Sequence, residues 1–182
     1  MKIAVFLSSR MGKSPEMAQL ARRTGAWLAE RGHELIYGGE GYGLMSVLAD
    51  SVIENGGRVI GVIPNLKLMM TNVHPKLDEY IYVPDMAERK AAMMKLADGF
   101  IALPGGYGTL DEFSEVLCEN RLEQMTKPLA LINQNGFYTP FGAFLDNMLA
   151  EGMIDPEDSR LLRIADSLEA AAAYLEGFGQ TV

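Results

Sequence analysis

Apolar residues fall into two kinds of stretch along this chain. Short unbroken runs at 2–7, 34–37, 58–63, 80–83, 99–103 and 128–132 have strand length and lack the alternation of a half-solvated sheet, which predicts strands buried on both faces. Between them, apolar positions recur at helical spacing. Ser14-Pro15 supplies an N-cap and a first-turn proline for a helix that reaches about Arg31 and stops at Gly32. Further helices are predicted over 44–54, closed by Asn55-Gly56-Gly57, and over 86–97, 113–122, 140–149 and 167–176, with a short last strand at 161–164. Strands alternating with helices predict an α/β protein with a doubly wound, mostly parallel sheet and helices on both faces. Only 65–79 has no clear period; it reads as a long loop or a short helix with irregular flanks, in a lid or interface role. No repeat, low-complexity tract or linker divides the chain, so residues 1–182 are expected to form one domain.

Composition narrows the function. Hydrophobic content of 48% with 22% charged residues is ordinary for a soluble globular protein. Sixteen basic against 24 acidic residues give a net charge of −8, which disfavours a nucleic-acid polymer or an anionic membrane surface as partner. A small phosphorylated ligand needs only a local positive pocket. Cys118 is the single cysteine, and His33 and His74 have no ligand-like spacing, so neither a disulfide nor a metal centre is expected. The apolar run at the N-terminus is too short for a signal peptide, and no later run is long enough to span a membrane, which makes the cytoplasm the expected location. The twelve methionines read as fillers of irregular core gaps.

Candidate chemistry concentrates after the predicted strand at 99–103. Gly105, Gly106 and Gly108 allow a sharp turn and close approach to a ligand, and the helix that follows offers unpaired N–H groups and the positive end of its dipole, a seat for phosphate. Thr109 and Glu112 have capping-box spacing, which accounts for those two residues without function but leaves the three glycines unexplained. A second glycine loop, Gly38 to Gly43, follows the strand at 34–37, and Ser8, Ser9, Arg10 and Lys13 follow the first strand. In an open α/β sheet these strand ends are where ligands bind. Arg89-Lys90 opens a helix with cations near its positive end, an anomaly that an anionic ligand would compensate.

With Arg89-Lys90 and Pro104-Gly105-Gly106-Tyr107-Gly108-Thr109-Leu110-Asp111-Glu112 both in view, the chain resembles the LOG (lonely guy) family, long labelled possible lysine decarboxylases. The likeness runs from Ser8-Ser9 through Tyr37-Gly38-Gly39 and Gly43-Leu44-Met45 to Lys127-Pro128 and Asn135-Gly136-Phe137-Tyr138. It implies a Rossmann-like fold, usually dimeric, that hydrolyses the N-glycosidic bond of a nucleoside 5′-monophosphate, of the cytokinin riboside or AMP class, to free base and ribose 5-phosphate. By motif it implies Arg89 and Glu112 as the catalytic pair. Substrate contacts are expected from Lys90, Gly105, Gly106, Tyr107, Gly108, Thr109, Leu110 and Asp111, with Ser8, Thr71 and Cys118 as further candidates. The chemistry is consistent: a carboxylate beside the ribose can stabilise oxocarbenium charge or orient water, and an arginine fork can hold the phosphate or position that carboxylate. No metal or organic cofactor is required.

The chain also departs from the resemblance. Thr71 stands where a base-contacting Glu is usual, Cys118 where Thr is, Glu119 and Arg121 where Trp and Gln are, Ala87 where His is common, and Glu40 and Ser46 where the second loop has glycines. Base recognition is therefore the open point. Cys118 reads as a packed small residue near the pocket. The rival reading is a non-catalytic nucleotide or molybdenum-cofactor carrier on the same fold. Pyridoxal-dependent decarboxylation lacks a recognisable lysine and acid set. A homodimer is expected from the resemblance, with Met69, Met70, Met125 and Met148-Leu149 as interface candidates.

Overall fold

The computed structural model describes residues 1–178. Seven strands, β1 (Lys2–Phe6), β2 (Glu34–Tyr37), β3 (Val59–Pro64), β4 (Glu79–Val83), β5 (Gly99–Ala102), β6 (Leu129–Ile132) and β7 (Leu162–Ala165), form one sheet in the order β4-β3-β2-β1-β5-β6-β7. Every strand pair is parallel, where a mostly parallel sheet was expected. The helices are α1 (Pro15–Glu30), α2 (Gly43–Glu54), the single turn α3 (Lys67–Met70), α4 (Met86–Leu96), α5 (Tyr107–Arg121), α6 (Thr139–Ala150) and α7 (Leu168–Gly177). No helix among the described residues is long and apolar enough to cross a membrane.

Strand pleating divides the core. Ile3, Val5 and Leu7 point to one face, where they join Leu20 and Leu28 of α1, Leu48 and Val52 of α2, and Leu175 of α7. Ala4 and Phe6 point to the other, with Met93 of α4 and Phe113 and Val116 of α5. Both faces of the central strands are covered, so β1, β2, β3, β5 and β6 carry no polar alternation and read as unbroken apolar runs, whereas the edge strands β4 and β7 expose Tyr82 and Arg163.

The chain winds outward from β1 to β4, then crosses back to lay β5 beside β1. At that reversal the loops after β1 and β5 diverge and leave a crevice above the strand ends.

One reading of the sequence needs correction here; a second, the short helix with irregular flanks within 65–79, is found as α3. α5 begins at Tyr107, six residues before the predicted start, with Gly106 as an extended N-cap and no side-chain cap. Thr109 therefore lies inside the first turn, its hydroxyl unpaired, and the capping box does not form. Segment 65–79 holds α3 and is then tied down: Glu40 and Val73 form an antiparallel bridge, Gly41 N–H donates to the Asn72 carbonyl, and His74 N–H donates to that of Gly39. His74 is buried, with Nε2 3.1 Å from Asp50 Oδ1 and Nδ1 accepting from Lys76 N–H. It fastens the segment to α2 and is part of the scaffold.

Candidate active site

Above the ends of β1, β2 and β5 lies a cavity of about 770 Å³. The loop after β5 forms one wall through Gly105 to Leu110. A Cβ at Gly106 or Gly108 would meet nothing within 4 Å, so the backbone there is open to an incoming group. The first-turn N–H groups of α5 have no intrahelical acceptor, and Thr109 Oγ1 is buried without a partner beside them. Ser8, Ser9 and Arg10 supply the wall above β1, whereas Lys13 is absent from it. Phe137, Tyr138 and Phe141 close the far side, and Tyr138 Oη donates to the Leu103 carbonyl at 2.8 Å, fixing that side to the end of β5.

Arg89 and Glu112 meet on this cavity. Both are almost sealed, with side-chain exposures of 5% and 9%, and Arg89 Nη1 stands 3.6 Å from Glu112 Oε1. That is ion-pair contact beyond hydrogen-bond range. The guanidinium is held elsewhere: Nε donates to the Val62 carbonyl at 3.2 Å and Nη1 lies 3.7 Å from Met86 Sδ. Burial pushes the Glu112 carboxyl up to about 7; Arg89 opposes the shift, and Asp111 and Glu40 add to it. A carboxyl poised there can exchange a proton at neutral pH.

The cations that looked anomalous at the start of α4 are met by carboxylates of α5. Arg89 faces Glu112, and Lys90 Nζ is 2.9 Å from Asp111 and also paired with Glu115. Lys90 is one residue, about 100°, around the helix from Arg89, so it clips α4 to α5 instead of entering the cavity. Asp111 is drawn off the wall with it. Thr71 caps the C-terminus of α3, exposed and outside the wall, which Met69 reaches two residues earlier. Cys118 is exposed on α5, six residues and about 240° around the helix from Glu112, and is not packed near the pocket as the sequence suggested. Of the expected residues, the cavity brings together Ser8, Arg89, Gly105 to Leu110 and Glu112.

Glu40, Met45, Met86, Phe137, Tyr138 and Phe141 also line the cavity, though the sequence marked none of them as functional. Glycines set the approach of the loops. A Cβ at Gly43, whose φ is +62°, would come within 1.9 Å of the Ser9 carbonyl oxygen, so the second loop seats directly on the first. Among the described residues no three His, Cys, Asp or Glu side chains gather as a metal site.

The sequence model of the family described as possible lysine decarboxylase matches residues 45–175. The chain is 38% identical over 177 residues to the cytokinin riboside 5′-monophosphate phosphoribohydrolase LOG of Oryza sativa subsp. japonica, covering 97% of this chain and 73% of that protein. It is equally 38% identical to the cytokinin riboside 5′-monophosphate phosphoribohydrolase of Rhodococcoides fascians, over 95% of this chain and 88% of that one. Among solved structures, the Moco carrier protein of Chlamydomonas reinhardtii superposes with a TM-score of 0.74 at 20% identity over 100% of both chains. The molybdenum cofactor binding protein of Rippkaea orientalis does so with a TM-score of 0.72 at 22% identity, over 97% of this chain and 96% of that one. These two likenesses show a common fold.

Proposed function

The chain belongs to the possible lysine decarboxylase family, which includes the LOG phosphoribohydrolases, and on that premise we propose that it hydrolyses the N-glycosidic bond of a nucleoside 5′-monophosphate. The substrates are of the cytokinin riboside monophosphate or AMP class, and the products are free base and ribose 5-phosphate. The observation that carries this reading is a buried carboxylate, Glu112, set against Arg89 on the same cavity as an open helix N-terminus.

The phosphate sits on the N–H groups that begin α5, with Thr109 Oγ1 as an added donor. That places the ribose toward Glu112. As the C1′–N bond lengthens, positive charge builds on C1′ and its ring oxygen, and ionised Glu112 stabilises it in a poorly hydrated site. Glu112 takes a proton from the attacking water, whose oxygen bonds to C1′. The departing nitrogen keeps the bonding pair and takes up the proton that Glu112 gained, so Glu112 is restored, one water is consumed and the atoms balance. Arg89 holds Glu112 at the cavity and opposes full protonation of its carboxyl. Lys90, paired with Asp111 and Glu115, keeps α4 and α5 in place and acts as a positioning residue.

The test is base release from a panel of nucleoside 5′-monophosphates, AMP and isopentenyl-AMP included, by the wild type and by Glu112→Gln. Release by the wild type and its loss in a folded variant support the reading. Binding without release from any member overturns it in favour of a nucleotide carrier. A homodimer belongs to the same proposal. Tyr82, Leu122, Phe144 and Met153 are 57%, 58%, 57% and 69% exposed, and α6 has no buried residue, which leaves apolar surface for a second copy to cover. Light scattering that finds a monomer at high concentration would refute it.

A further inference from the structure

Glu40 is a buried acid that the chemistry above does not use. It is 5% exposed, lines the cavity, and its Oε2 is sealed from solvent with no hydrogen-bond partner. Its neighbours hold it there. The bridge to Val73 pins its backbone, the Tyr42 hydroxyl lies beside its carboxylate, and its backbone carbonyl accepts weakly from Tyr37 Oη at 3.4 Å. An orphaned buried carboxylate oxygen is costly, and such a group persists where something else supplies its donor. The last torsion of a glutamate is soft, so either oxygen can turn to a donor arriving at the wall.

Strand order locates that donor. The phosphate-seating loop follows β5, and Glu40 follows β2, with β1 between them. Two strand spacings put the Glu40 end of the cavity about 10 Å from the phosphate seat. In a nucleoside 5′-monophosphate the ribose hydroxyls lie nearer the phosphate than this, and the far edge of a purine reaches it. We infer that Glu40 is a specificity-determining residue that accepts a hydrogen bond from the exocyclic N–H at position 6 of an adenine-type base. The inference rests on the nucleotide reading of the site. It favours bases with an amino or singly substituted amino group at that position over bases with none.

Binding measured calorimetrically on the Glu112→Gln protein, which removes turnover, tests this with AMP and purine riboside 5′-monophosphate, identical except for the 6-amino group. AMP is expected to bind about 10- to 100-fold tighter, the range for one hydrogen bond to a charged acceptor. Adding Glu40→Ala should bring the two nucleotides within about twofold of each other. If that variant fails to fold, Glu40→Gln, which keeps an uncharged acceptor, should retain a smaller AMP preference. Equal binding of the two nucleotides by the parent, or a preference that survives at full size without the Glu40 carboxylate, overturns the inference. Failure of both nucleotides to bind overturns it together with the nucleotide reading. A Glu40-dependent preference without base release by the wild type would sink hydrolysis and leave this assignment standing.

Discussion

Gly38 and Arg89 occupy each other's space: a Cβ on residue 38 would lie 1.6 Å from Arg89 Nη2 and 2.8 Å from its Cζ. The second glycine loop thus provides the slot in which the guanidinium lies, between the end of β2 and the Glu112 carboxylate. The atoms in conflict belong to the ends of flexible side chains, Arg89 and Met45, so the backbone is not forced to move.

Gly38→Ala should therefore separate stability from activity. Its unfolding free energy is expected to stay within about 1 kcal/mol of the wild type. Base release should fall about 100-fold, because the arginine is pushed from Glu112. Chemical denaturation alongside steady-state kinetics checks both, and equal activity would show that the slot is dispensable.

Gly43→Ala should behave in the opposite sense. Its φ of +62° disfavours any Cβ, and the added carbon meets the backbone oxygen of Ser9, which cannot swing away. A loss of about 2 kcal/mol or more is expected, read as a lower denaturation midpoint. A midpoint at the wild-type value would mean that the two loops are not in contact in solution.

Thr109→Val tests the unpaired hydroxyl. With no partner for Oγ1, replacing it by a methyl group should leave the free protein as stable or up to about 1 kcal/mol more so. Affinity for AMP or ribose 5-phosphate should nevertheless drop about tenfold. Lower stability with unchanged affinity would assign Thr109 to packing alone.

Glu112 links pH to both activity and stability. Acting as an ionised group, it gives a kcat/KM that rises with pH through about 7. The stability trend runs the other way. Its carboxyl is raised from an ordinary 4.5 to about 7, so the folded state binds more protons between those values and loses stability as pH increases through the window. The loss amounts to about 3 kcal/mol. Glu112→Gln should flatten that slope and be the more stable protein at pH 8, as urea titrations at pH 4 and pH 8 would reveal.

The scaffold was legible in the sequence because it obeys local rules. Glu34–Tyr37 appears with its predicted bounds, and Gly32 and Asn55-Gly56 stop helices as expected. The early turns of α5 were hidden: Gly108 and the almost fully exposed Tyr107 break the apolar period before Phe113. What sequence spacing could not show were partnerships across the fold. Lys90 finds Asp111 and Glu115 more than twenty residues away, which answers the charge at the start of α4 without a ligand. Glu40 registered only as a residue in place of a glycine, since its burial depends on Val73 arriving from another loop. Gly105 to Glu112 could be read as a ligand loop because a plain turn does not require three glycines; Gly105 makes room for Thr109, and Gly106 and Gly108 leave the wall open.

The all-parallel order has one more consequence. Much of the cavity wall, in the loops after β1, β2 and β5, is spliced between a strand end and a helix start, while the registers that close the core lie below it. On the proposed reading, position 40 is where this wall can diverge for a new base, while Gly38, Gly39 and Gly43 stay fixed against Arg89, Ile63 and Ser9. Grafting that loop between relatives would exchange discrimination only together with residues 72–74, which pin it.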